Sequence, residues 1–385
     1  MAKLKVAGLF AGIGGLELGL SQSGHRTMAL CEIDPGASSV LSARFPRIPI
    51  HPDVVKLNVL PKGVNLLAAG FPCQDLSQAG LTVGIAGKRS GLVDEVFRIA
   101  EANDVPHLLL ENVSFMLHLH RGEAMRYVVK RLEELGYRWA YRVIDSRAFG
   151  VPQRRERVYI LASRTYDPAG TLFHEDCGEP EVSSHIGKAC GFFWTEGIRG
   201  LGWAVDAVPT LKGGSTIGIP SPPAIWLPDG RIVTPDIRDA ERLQGFAPGW
   251  TEPASSVGRA THRWKLVGNA VTVNAAAWVG SCLAHPDRTH SRKLVPLSPK
   301  DSWPRAACGG PGSQRHAVEV SSWPIHAPKR SLLDFLEFEP RLLSLKAVSG
   351  FLSRLESSTL RYPAEFLKAL KLHRGKMSRL PVRAA

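Results

Sequence analysis

The chain of 385 residues is 44% hydrophobic and 22% charged. This balance predicts at least one large core within two or three domains, and it excludes a disulfide-dependent miniprotein. The formal net charge of +13 favours a polyanionic partner. Residues 285–385 hold 18 Lys and Arg against 8 Asp and Glu, a difference of +10, so most of the excess lies near the C-terminus.

Compartment and metal use can be predicted from what the sequence lacks. No apolar run reaches about 18 residues, and the N-terminal residues carry no signal-peptide cleavage pattern, so we expect a cytoplasmic protein without a membrane partner. The six cysteines are widely spaced and include no CxxC pair. We therefore expect reduced thiols and no metal site.

Short apolar segments alternate with amphipathic patterns over residues 1–163. In chain order the segments are KVAGLF, TMALCEI, NLLAAGF, HLLLENV and RVYILAS. Such alternation predicts a doubly wound α/β sheet with helices on both faces. The clearest helix is GEAMRYVVKRLEELGYR, where Met125, Val128 and Leu132 share one face and Gly136 is typical of the position after a helix.

The rest of the chain changes character several times. A Gly-, Pro- and Ser-rich stretch predicts a small insert of strands and loops, after which Thr234 predicts an N-cap and Pro235 the first helical position. The segment WKLVGNAVTVNAAAWVGSCLAH predicts one buried helix. The expected divisions are 164–233 for the insert, 234–284 for a return to the first domain, 285–330 for a linker and 331–385 for a basic helical tail.

A glycine-rich turn follows the first predicted strand. Gly12, Gly14 and Gly15 lie at the start of a helix, and Glu32 ends the second strand. Glycines there allow a ligand to approach the backbone, and a carboxylate after the second strand suits a ribose diol. Asp53, after a third short run, strengthens the prediction of an adenosine-containing cofactor. Ordinary turn chemistry is the structural alternative.

Cys73 follows Phe71 and Pro72 at the end of an apolar strand. Core packing is the commonest fate of a free cysteine. The polar residues directly after Cys73 and the glycines as far as Gly91 favour instead a thiol that is presented to a substrate, because open α/β sheets bind ligands at this edge.

A carboxylate and two guanidinium groups complete the candidate site. Glu111 ends the strand HLLLENV; it could be a helix cap or a salt-bridge partner, or an acid kept protonated by apolar surroundings. Arg155 and Arg157 alternate on one face of a predicted strand start, where paired guanidinium groups could bind an anion or a carbonyl oxygen. A solvated charge cluster is the alternative for these arginines.

With these residues, the sequence resembles the DNA (cytosine-5)-methyltransferases of prokaryotic or phage type over residues 5–284. The motifs that carry the resemblance, in the family's order, are FAGIGGLELGL, CEIDPGA, PDV, GFPCQDLSQAG, ENV, QRRERVYI, ERLQGFAPGW and VGNAVTVN. The resemblance implies a Rossmann-like sheet that binds S-adenosyl-L-methionine and a small target-recognition domain at 164–233. The helical spacing of apolar residues after position 331 predicts a C-terminal helical extension outside the family's core.

The resemblance also implies roles for individual residues. Cys73 would add to carbon 6 of a cytosine flipped out of duplex DNA, a protonated Glu111 would bind ring nitrogen 3, Arg157 the base's carbonyl oxygen, and Arg155 would favour the thiolate. The loop after Cys73, residues 74–91, would close over the base. The positions that match cofactor-contacting residues of the family are Phe10, Gly12, Gly14, Glu32, Asp53, Pro72, Leu92 and Asn269.

Some features depart from the family pattern or leave alternatives open. Pro52 replaces the usual glycine before Asp53, QGFAPGW carries an extra alanine, and only Thr210-Leu211 resembles a recognition-domain signature. We expect a monomer that acts separately from any cognate restriction endonuclease. A catalytically silent DNA-binding protein and an RNA cytosine methyltransferase are the alternatives, although the CFT tripeptide of the family's tRNA enzymes is absent.

Overall fold

The computed structural model describes residues 3–72, 91–181, 184–213, 222–259, 261–298 and 300–379. The strands are β1 (Lys5–Leu9), β2 (Arg26–Cys31), β3 (Ile50–His51), β4 (Leu66–Ala69), β5 (His107–Val113), β6 (Arg138–Asp145), β7 (Gln153–Arg154), β8 (Glu156–Ser163), β9 (Cys190–Phe192), β10 (Ala204–Val205), β11 (Val208–Pro209), β12 (Ala224–Trp226), β13 (Ile232–Thr234), β14 (Leu294–Pro296), β15 (Ala306–Gly309), β16 (His316–Val318) and β17 (Arg341–Leu342).

The α-helices of the described residues are α1 (Gly15–Gln22), α2 (Pro35–Arg44), α3 (Leu92–Ala102), α4 (Glu123–Glu134), α5 (Pro168–Phe173), α6 (Ile237–Leu243), α7 (His262–Asn269), α8 (Val273–Leu283), α9 (Leu332–Phe335), α10 (Leu345–Glu356) and α11 (Ala364–Arg379). The chain divides into two compact units. The first unit comprises Met1–Phe149, Glu156–Pro180 and Ala270–Ala327. The second unit comprises Gly150–Arg155, Glu181–Asn269 and Pro328–Ala385.

A ten-stranded sheet in the order β14-β16-β15-β6-β8-β5-β4-β1-β2-β3 forms the first unit. Strands β5, β4, β1, β2 and β3 run parallel, while β8 pairs antiparallel with both β5 and β6. The chain turns outward in opposite directions from β1 and β4, which makes this pair the switch point at which doubly wound sheets bind ligands. The carboxyl ends of the five parallel strands therefore lie along one edge.

Both faces of this sheet are covered, as the alternating pattern predicts. Successive strand residues pack on opposite sides: Val6 lies with α1 and α8, whereas Ala7 and Leu9 lie with α3 and α4. Each fully buried Leu or Val contributes about 1.5–3 kcal/mol to folding. Helices α1 and α8 approach closely because Gly19 has no side chain; a Cβ there would lie 2.6 Å from the Val273 carbonyl oxygen. The Rossmann-like fold class is confirmed.

The second unit is built on a five-stranded sheet in the order β10-β9-β12-β13-β17. Helices α10 and α11 supply seven of the twelve buried residues in one of its hydrophobic clusters. In this cluster the ring centroid of Phe192 of β9 lies 5.0 Å from that of Phe351 and 4.9 Å from that of Phe366. A buried polar network also orders this unit. The Glu241 carboxylate accepts hydrogen bonds from the backbone N–H groups of Gly249 and Thr251 and pairs with Arg263.

The two units divide the chain differently from the sequence prediction. Residues 285–330 are not a linker, because β14, β15 and β16 extend the large sheet through pairing of β15 with β6. The Trp303 indole N–H donates to the Gly122 carbonyl oxygen at 3.0 Å, which fixes this segment further. Residues 164–180 fall in the first unit and 234–269 in the second. The basic tail also belongs to the second unit, since its helices are needed to cover that unit's sheet.

Two helix predictions are also wrong in detail. Thr234 ends β13, and the N-cap of α6 is Asp236, whose carboxylate accepts from the Arg238 N–H. The segment WKLVGNAVTVNAAAWVGSCLAH forms two helices, because Thr272 adopts an extended conformation and is the N-cap of α8. Residues 262–283 are together apolar and long enough to cross a membrane, but 78% of that apolar window is buried in the protein. The helix before Gly136 is confirmed, with Gly136 at φ 80°.

Candidate active site

The glycine turn after β1 leaves its backbone open to a ligand. Phe10, Gly12 and Gly14 have positive φ values of 53°, 55° and 85°. A Cβ on Gly12 would meet no atom within 4 Å, whereas one on Gly14 would lie 2.4 Å from the Phe45 ring. Gly14 is therefore needed for packing, and Gly12 leaves free space at the ligand-binding edge of the sheet.

Glu32, directly after β2, lies beside this turn. Its Oε2 accepts from the Gly12 N–H and its Oε1 from the Asp34 N–H, both at 2.7 Å. Burial raises the pKa of Glu32 above its ordinary value, although these backbone bonds oppose the shift. The next residue, Ile33, is 76% exposed. A carboxylate that hydrogen-bonds the open turn, with an exposed apolar side chain next to it, fits the ribose and base of an adenosine group.

Asp53 follows β3 at the same edge. Its Oδ1 accepts from the Val55 N–H at 3.0 Å, and its Oδ2 lies 4.0 Å from Lys56 Nζ. Pro72 follows β4 and is exposed, while Leu92 is the first residue of α3 and packs partly against the core of the first unit. The first unit thus holds every predicted cofactor residue except Asn269.

Strands β4 and β5 bring the predicted catalytic carboxylate next to the approach to Cys73. Gly70 follows β4, and a Cβ there would lie 3.5 Å from Glu111 Oε2. The buried Asn112 donates through Nδ2 to the Phe71 carbonyl oxygen at 3.0 Å. This bond ties the chain two residues before Cys73 to the end of β5. Cys73 itself and the predicted lid, residues 74–91 apart from Gly91, lie outside the described residues.

Glu111 and Arg157 form an ion pair. Arg157 Nε lies 3.1 Å from Glu111 Oε1, and the two side chains are only 13% and 9% exposed. Antiparallel pairing of β5 with β8 places Arg157 opposite Val113, two residues beyond Glu111, which allows the diagonal contact. Burial lowers the pKa of Arg157 from its ordinary value, and the Glu111 charge opposes that shift. Of the three interpretations offered for Glu111, this contact is that of a salt-bridge partner.

Arg155 does not share a strand face with Arg157 as the sequence predicts. Strand β7 ends at Arg154 and β8 begins at Glu156, so Arg155 lies at the junction between the units. Its buried guanidinium donates through Nη1 to the carbonyl oxygens of Leu211 and Gly268, at 3.1 and 3.3 Å. These bonds hold the Thr210-Leu211 segment that the sequence had singled out.

Asn269 also falls in the second unit, at the end of α7. Its side chain lies against Gly213, where a Cβ would be 2.3 Å from Asn269 Oδ1. The neighbouring Gly268 is equally constrained, because a Cβ there would lie 2.2 Å from the Lys212 carbonyl carbon. Gly268 and Asn269 of the VGNAVTVN motif therefore approach the backbone at residues 212–213 closely within the second unit.

Three residues of the first unit escaped the sequence analysis. Asn112 was only part of the ENV motif, and its bond to Phe71 depends on the pairing of β4 with β5. Ile33 was an ordinary hydrophobic residue until its exposure was known. Glu17, on α1, is fully buried, and neither carboxylate oxygen has a hydrogen-bond partner among the described residues. The sequence gave no indication that Glu17 is buried, because the tertiary structure decides which face of an amphipathic helix packs against the core.

Comparison with known proteins identifies the family. Residues 4–186 match the model for C-5 cytosine-specific DNA methylases. The chain is 47% identical over 382 residues to a type II methyltransferase, M2.BsuMI, of Bacillus subtilis (strain 168), covering 96% of this chain and 97% of the relative. The chain belongs to the C-5 cytosine-specific DNA methylase family. It is a DNA (cytosine-5)-methyltransferase that uses S-adenosyl-L-methionine.

Other relatives agree with this assignment. This methyltransferase is 29% identical over 295 residues to the type II methyltransferase M.MspI of Moraxella sp, covering 70% of this chain and 68% of that one. The crystal structure of S. pombe Dnmt2 methyltransferase superposes with a TM-score of 0.56 at 18% identity, over 74% of this chain and 99% of that chain. The structural match shows the shared fold. The predictions of family, fold class, enzyme class and cofactor are therefore confirmed.

The residues of this methyltransferase fit its cofactor. The open backbone face at Gly12, the Glu32 carboxylate and the exposed Ile33 lie along the carboxyl edge of β1 and β2, where an adenosine group is bound in such sheets. No group of three or more His, Cys, Asp or Glu side chains suited to a metal occurs within the described part of the chain.

Proposed function

We propose that this methyltransferase modifies a cytosine flipped out of a specific duplex DNA sequence, with Cys73 as nucleophile and Glu111 and Arg157 as the groups that bind the ring. The observation that carries the residue assignment is the buried pair of Glu111 and Arg157, beside the strand end that leads to Cys73. A base in a duplex is inaccessible to such a buried pair, which is why flipping is required.

The chemistry requires covalent activation, because carbon 5 of cytosine is a weak nucleophile. The Cys73 thiolate adds to carbon 6, and the ring electrons move toward carbon 5. S-adenosyl-L-methionine, when bound, supplies an electrophilic methyl group. Carbon 5 would take this methyl group as the bond from methyl to the sulfonium sulfur breaks and S-adenosyl-L-homocysteine leaves. A base would then remove the carbon 5 proton, and the electrons of that C–H bond would expel the Cys73 thiolate. The ring is then restored as 5-methylcytosine.

Glu111 and Arg157 exchange partners when the base enters. In the structure Arg157 binds the Glu111 carboxyl group. A hydrogen bond from Glu111 to unprotonated ring nitrogen 3 requires the acid form. We infer that Arg157 turns from Glu111 to the carbonyl oxygen of the base, while the buried Glu111 takes a proton and donates it to nitrogen 3. The Arg157 cation and the hydrogen bond donated by the neutral Glu111 acid then stabilise the electron-rich adduct where its charge develops.

The other predicted site residues receive roles of the same kind. Glu32 would bind the ribose hydroxyls, Asp53 the adenine amino group, and the Gly12 backbone the methionine end. Phe10, Gly14, Pro72, Leu92 and Asn269 are proposed to complete the cofactor site. For Arg155 we propose a positioning role in the second unit, together with the expected support of the Cys73 thiolate.

We further propose that the second unit recognises the target sequence and that the first carries the chemistry. A small sheet with loops near Thr210 supports this division, since base readout depends on side chains that loops present. We expect the enzyme to act as a monomer in the cytoplasm of a prokaryotic cell or phage-infected host, separately from any cognate endonuclease.

The test uses labelled S-adenosyl-L-methionine with duplex DNA and, in parallel, with tRNA. The wild type should label DNA and leave tRNA unlabelled. Replacing Cys73 with Ser should abolish transfer, and duplex DNA containing 5-fluorocytosine should become covalently attached to the wild type alone. Labelling of tRNA in place of DNA would support an RNA methyltransferase. DNA binding without any transfer would support a silent DNA-binding protein.

A further inference from the structure

The C-terminal residues 328–379 are an integral part of the second unit. Strand β17 pairs with β13 through Val233 opposite Leu342, and it supplies the fifth strand of the sheet. Helices α10 and α11 bury Phe351 and Phe366 against β9. The surface of α11 is therefore a surface of the unit for which we propose target recognition.

Helix α11 has one buried face and one cationic face. The buried face includes Phe366, Leu370 and His373, and the His373 Nε2 atom lies 2.8 Å from the Leu343 carbonyl oxygen. Burial lowers the pKa of His373, so its ring is neutral near neutral pH and donates this bond. Packing of one face fixes which residues of α11 face solvent. The exposed cations of the helix are Lys368, Lys371, Arg374, Lys376 and Arg379.

Three of these cations lie on one stripe. An arc of about 80° around the helix axis contains positions 368, 372, 376 and 379. Along that axis, Lys368 and Lys376 lie about 12 Å apart. Leu372, between them, is 65% exposed. Glu365 is the sole acid of α11 and belongs to its first turn, where a negative charge stabilises the helix.

The cations of this stripe differ from several others in the second unit, which are paired with carboxylates. Arg231, Arg238 and Arg263 are each paired with a carboxylate, at 2.7, 2.7 and 3.0 Å. Lys371, on another side of α11, pairs with Glu356 at 3.0 Å. Within the described ranges, Lys368, Lys376 and Arg379 form no ion pair. Their positive charge is available to an external anion.

A cavity of about 420 Å³ borders the stripe. The turn between β12 and β13 forms its opposite wall, with Trp226 and Arg231, and Lys368 and Lys376 line it from α11. The Asp229 carboxylate in this wall is held by Arg231 at 2.7 Å. The lysines therefore face a recess lined by two acids: Asp229, which Arg231 neutralises, and Glu365 of α11.

We propose that Lys368, Lys376 and Arg379 of α11 bind the phosphate backbone of duplex DNA. This inference rests on the proposed function, because the DNA is that of the methylation target. Cations on one stripe of a helix reach successive phosphates of one strand, and they add affinity without reading the sequence. The segment outside the family's shared motifs thus anchors the DNA, while loops of the second unit select its sequence.

The experiment compares the wild type with a triple variant, Lys368→Gln, Lys376→Gln and Arg379→Gln, in the full-length chain. Binding to a duplex oligonucleotide is followed by fluorescence anisotropy between about 50 and 200 mM salt. The triple variant should bind about 10- to 100-fold more weakly, and its plot of log K against log salt should be shallower by about 2–3. Its kcat at saturating DNA and its methylated sequence should match the wild type.

Lys371→Gln is the matched control, since it removes the same charge from the same helix where Glu356 already neutralises it. It should leave affinity and salt slope nearly unchanged. Glu365→Gln, which removes repulsion on the stripe, should tighten binding a few-fold. The inference would be overturned if Lys371→Gln lost as much DNA affinity as the triple variant. It would also be overturned if the triple variant bound DNA like the wild type. A wild type that transfers no methyl group to DNA would instead overturn the proposed function.

Discussion

Arg157 Nε lies 3.1 Å from Glu111 Oε1 across the antiparallel junction of β5 and β8. Both side chains are largely removed from solvent, so each charge depends on the other for compensation. The same two groups are proposed to bind cytosine. Stability requires Arg157 and Glu111 to stay paired with each other, whereas catalysis requires both to bind the base. Variants of the two residues can therefore separate the effect on stability from the effect on catalysis.

Replacing Arg157 with Met should lower both stability and activity. The Glu111 carboxylate then loses its guanidinium partner in a buried place, which costs about 3–5 kcal/mol of unfolding free energy. The double variant Arg157→Met with Glu111→Gln should recover much of that stability but remain at least about 100-fold reduced in kcat. Thermal unfolding and methyl transfer would be measured on the same preparations. Equal stability of single and double variants would contradict a compensating pair.

Replacing Asn112 with Ala should impair catalysis more than folding. The bond from Asn112 Nδ2 to the Phe71 carbonyl oxygen is one buried hydrogen bond, so its loss costs about 1–3 kcal/mol. Because Phe71 lies two residues before Cys73, the thiol would lose its position, and kcat should fall by about 10- to 100-fold. A useful control is Asn103→Ala, which removes a side-chain bond to the Leu60 N–H away from the site. That variant should lose stability while keeping kcat.

Gly12 and Gly14 should respond differently to substitution by Ala. At Gly12 the added methyl group enters open space, so the free energy of unfolding should fall by only about 1 kcal/mol, the cost of a positive φ at Ala. The same methyl group occupies space meant for the cofactor, so S-adenosyl-L-methionine should bind more weakly. At Gly14 the methyl group collides with the Phe45 ring, and the melting temperature should fall more. Calorimetric titration with the cofactor and thermal melts would distinguish the two. Equal cofactor affinity in Gly12→Ala and wild type would place the cofactor elsewhere.

Glu17 should make the protein less stable as pH rises. Burial raises the pKa of its carboxyl from the model-peptide value of 4.5 to about 7, and the Glu32 charge adds to the shift. The folded state thus binds the proton more tightly than the unfolded chain, and the stabilisation is lost as pH rises from about 4.5 through about 7. Between about pH 5 and 8 the free energy of unfolding of the wild type should fall by about 2–3 kcal/mol because of this group. The free energy of unfolding of Glu17→Gln should fall less over the same range, and denaturant titrations at the two pH values would measure both changes.

Removing residues 328–385 should unfold the second unit. The truncation exposes Phe192 and Ile232, which pack against α10 and α11, and loses several large side chains that each contribute about 3–5 kcal/mol when buried. The truncated chain should aggregate or bind a hydrophobic dye, and limited proteolysis should cleave within residues 181–269. A soluble, protease-resistant truncation would show that the C-terminal segment is dispensable for folding.

The sequence predicts the first unit better than the second. Apolar strands such as HLLLENV are buried on both faces of a parallel sheet, so their pattern survives in any packing, and their order places Glu32, Asp53 and Glu111 at one edge. Arg155 was misplaced because a break of one residue between β7 and β8 reverses the side that it faces. Residues 285–330 were wrongly predicted to be a linker, because strands as short as β14, β15 and β16 can be identified only from their pairing with other strands in the structure.

Local chemistry determined much of the protein by itself. Glycines that tolerate positive φ, a thiol after a strand, and a carboxylate at a strand end are properties of residue type and spacing, and these identified the family and its reaction. Only tertiary structure decided that Arg157 pairs with Glu111, that Asn112 holds Phe71, and that the basic C-terminal helices complete the second unit. Those contacts join residues from 41 to 174 positions apart in the sequence. Contacts of that kind depend on how strands and helices pack rather than on any local pattern.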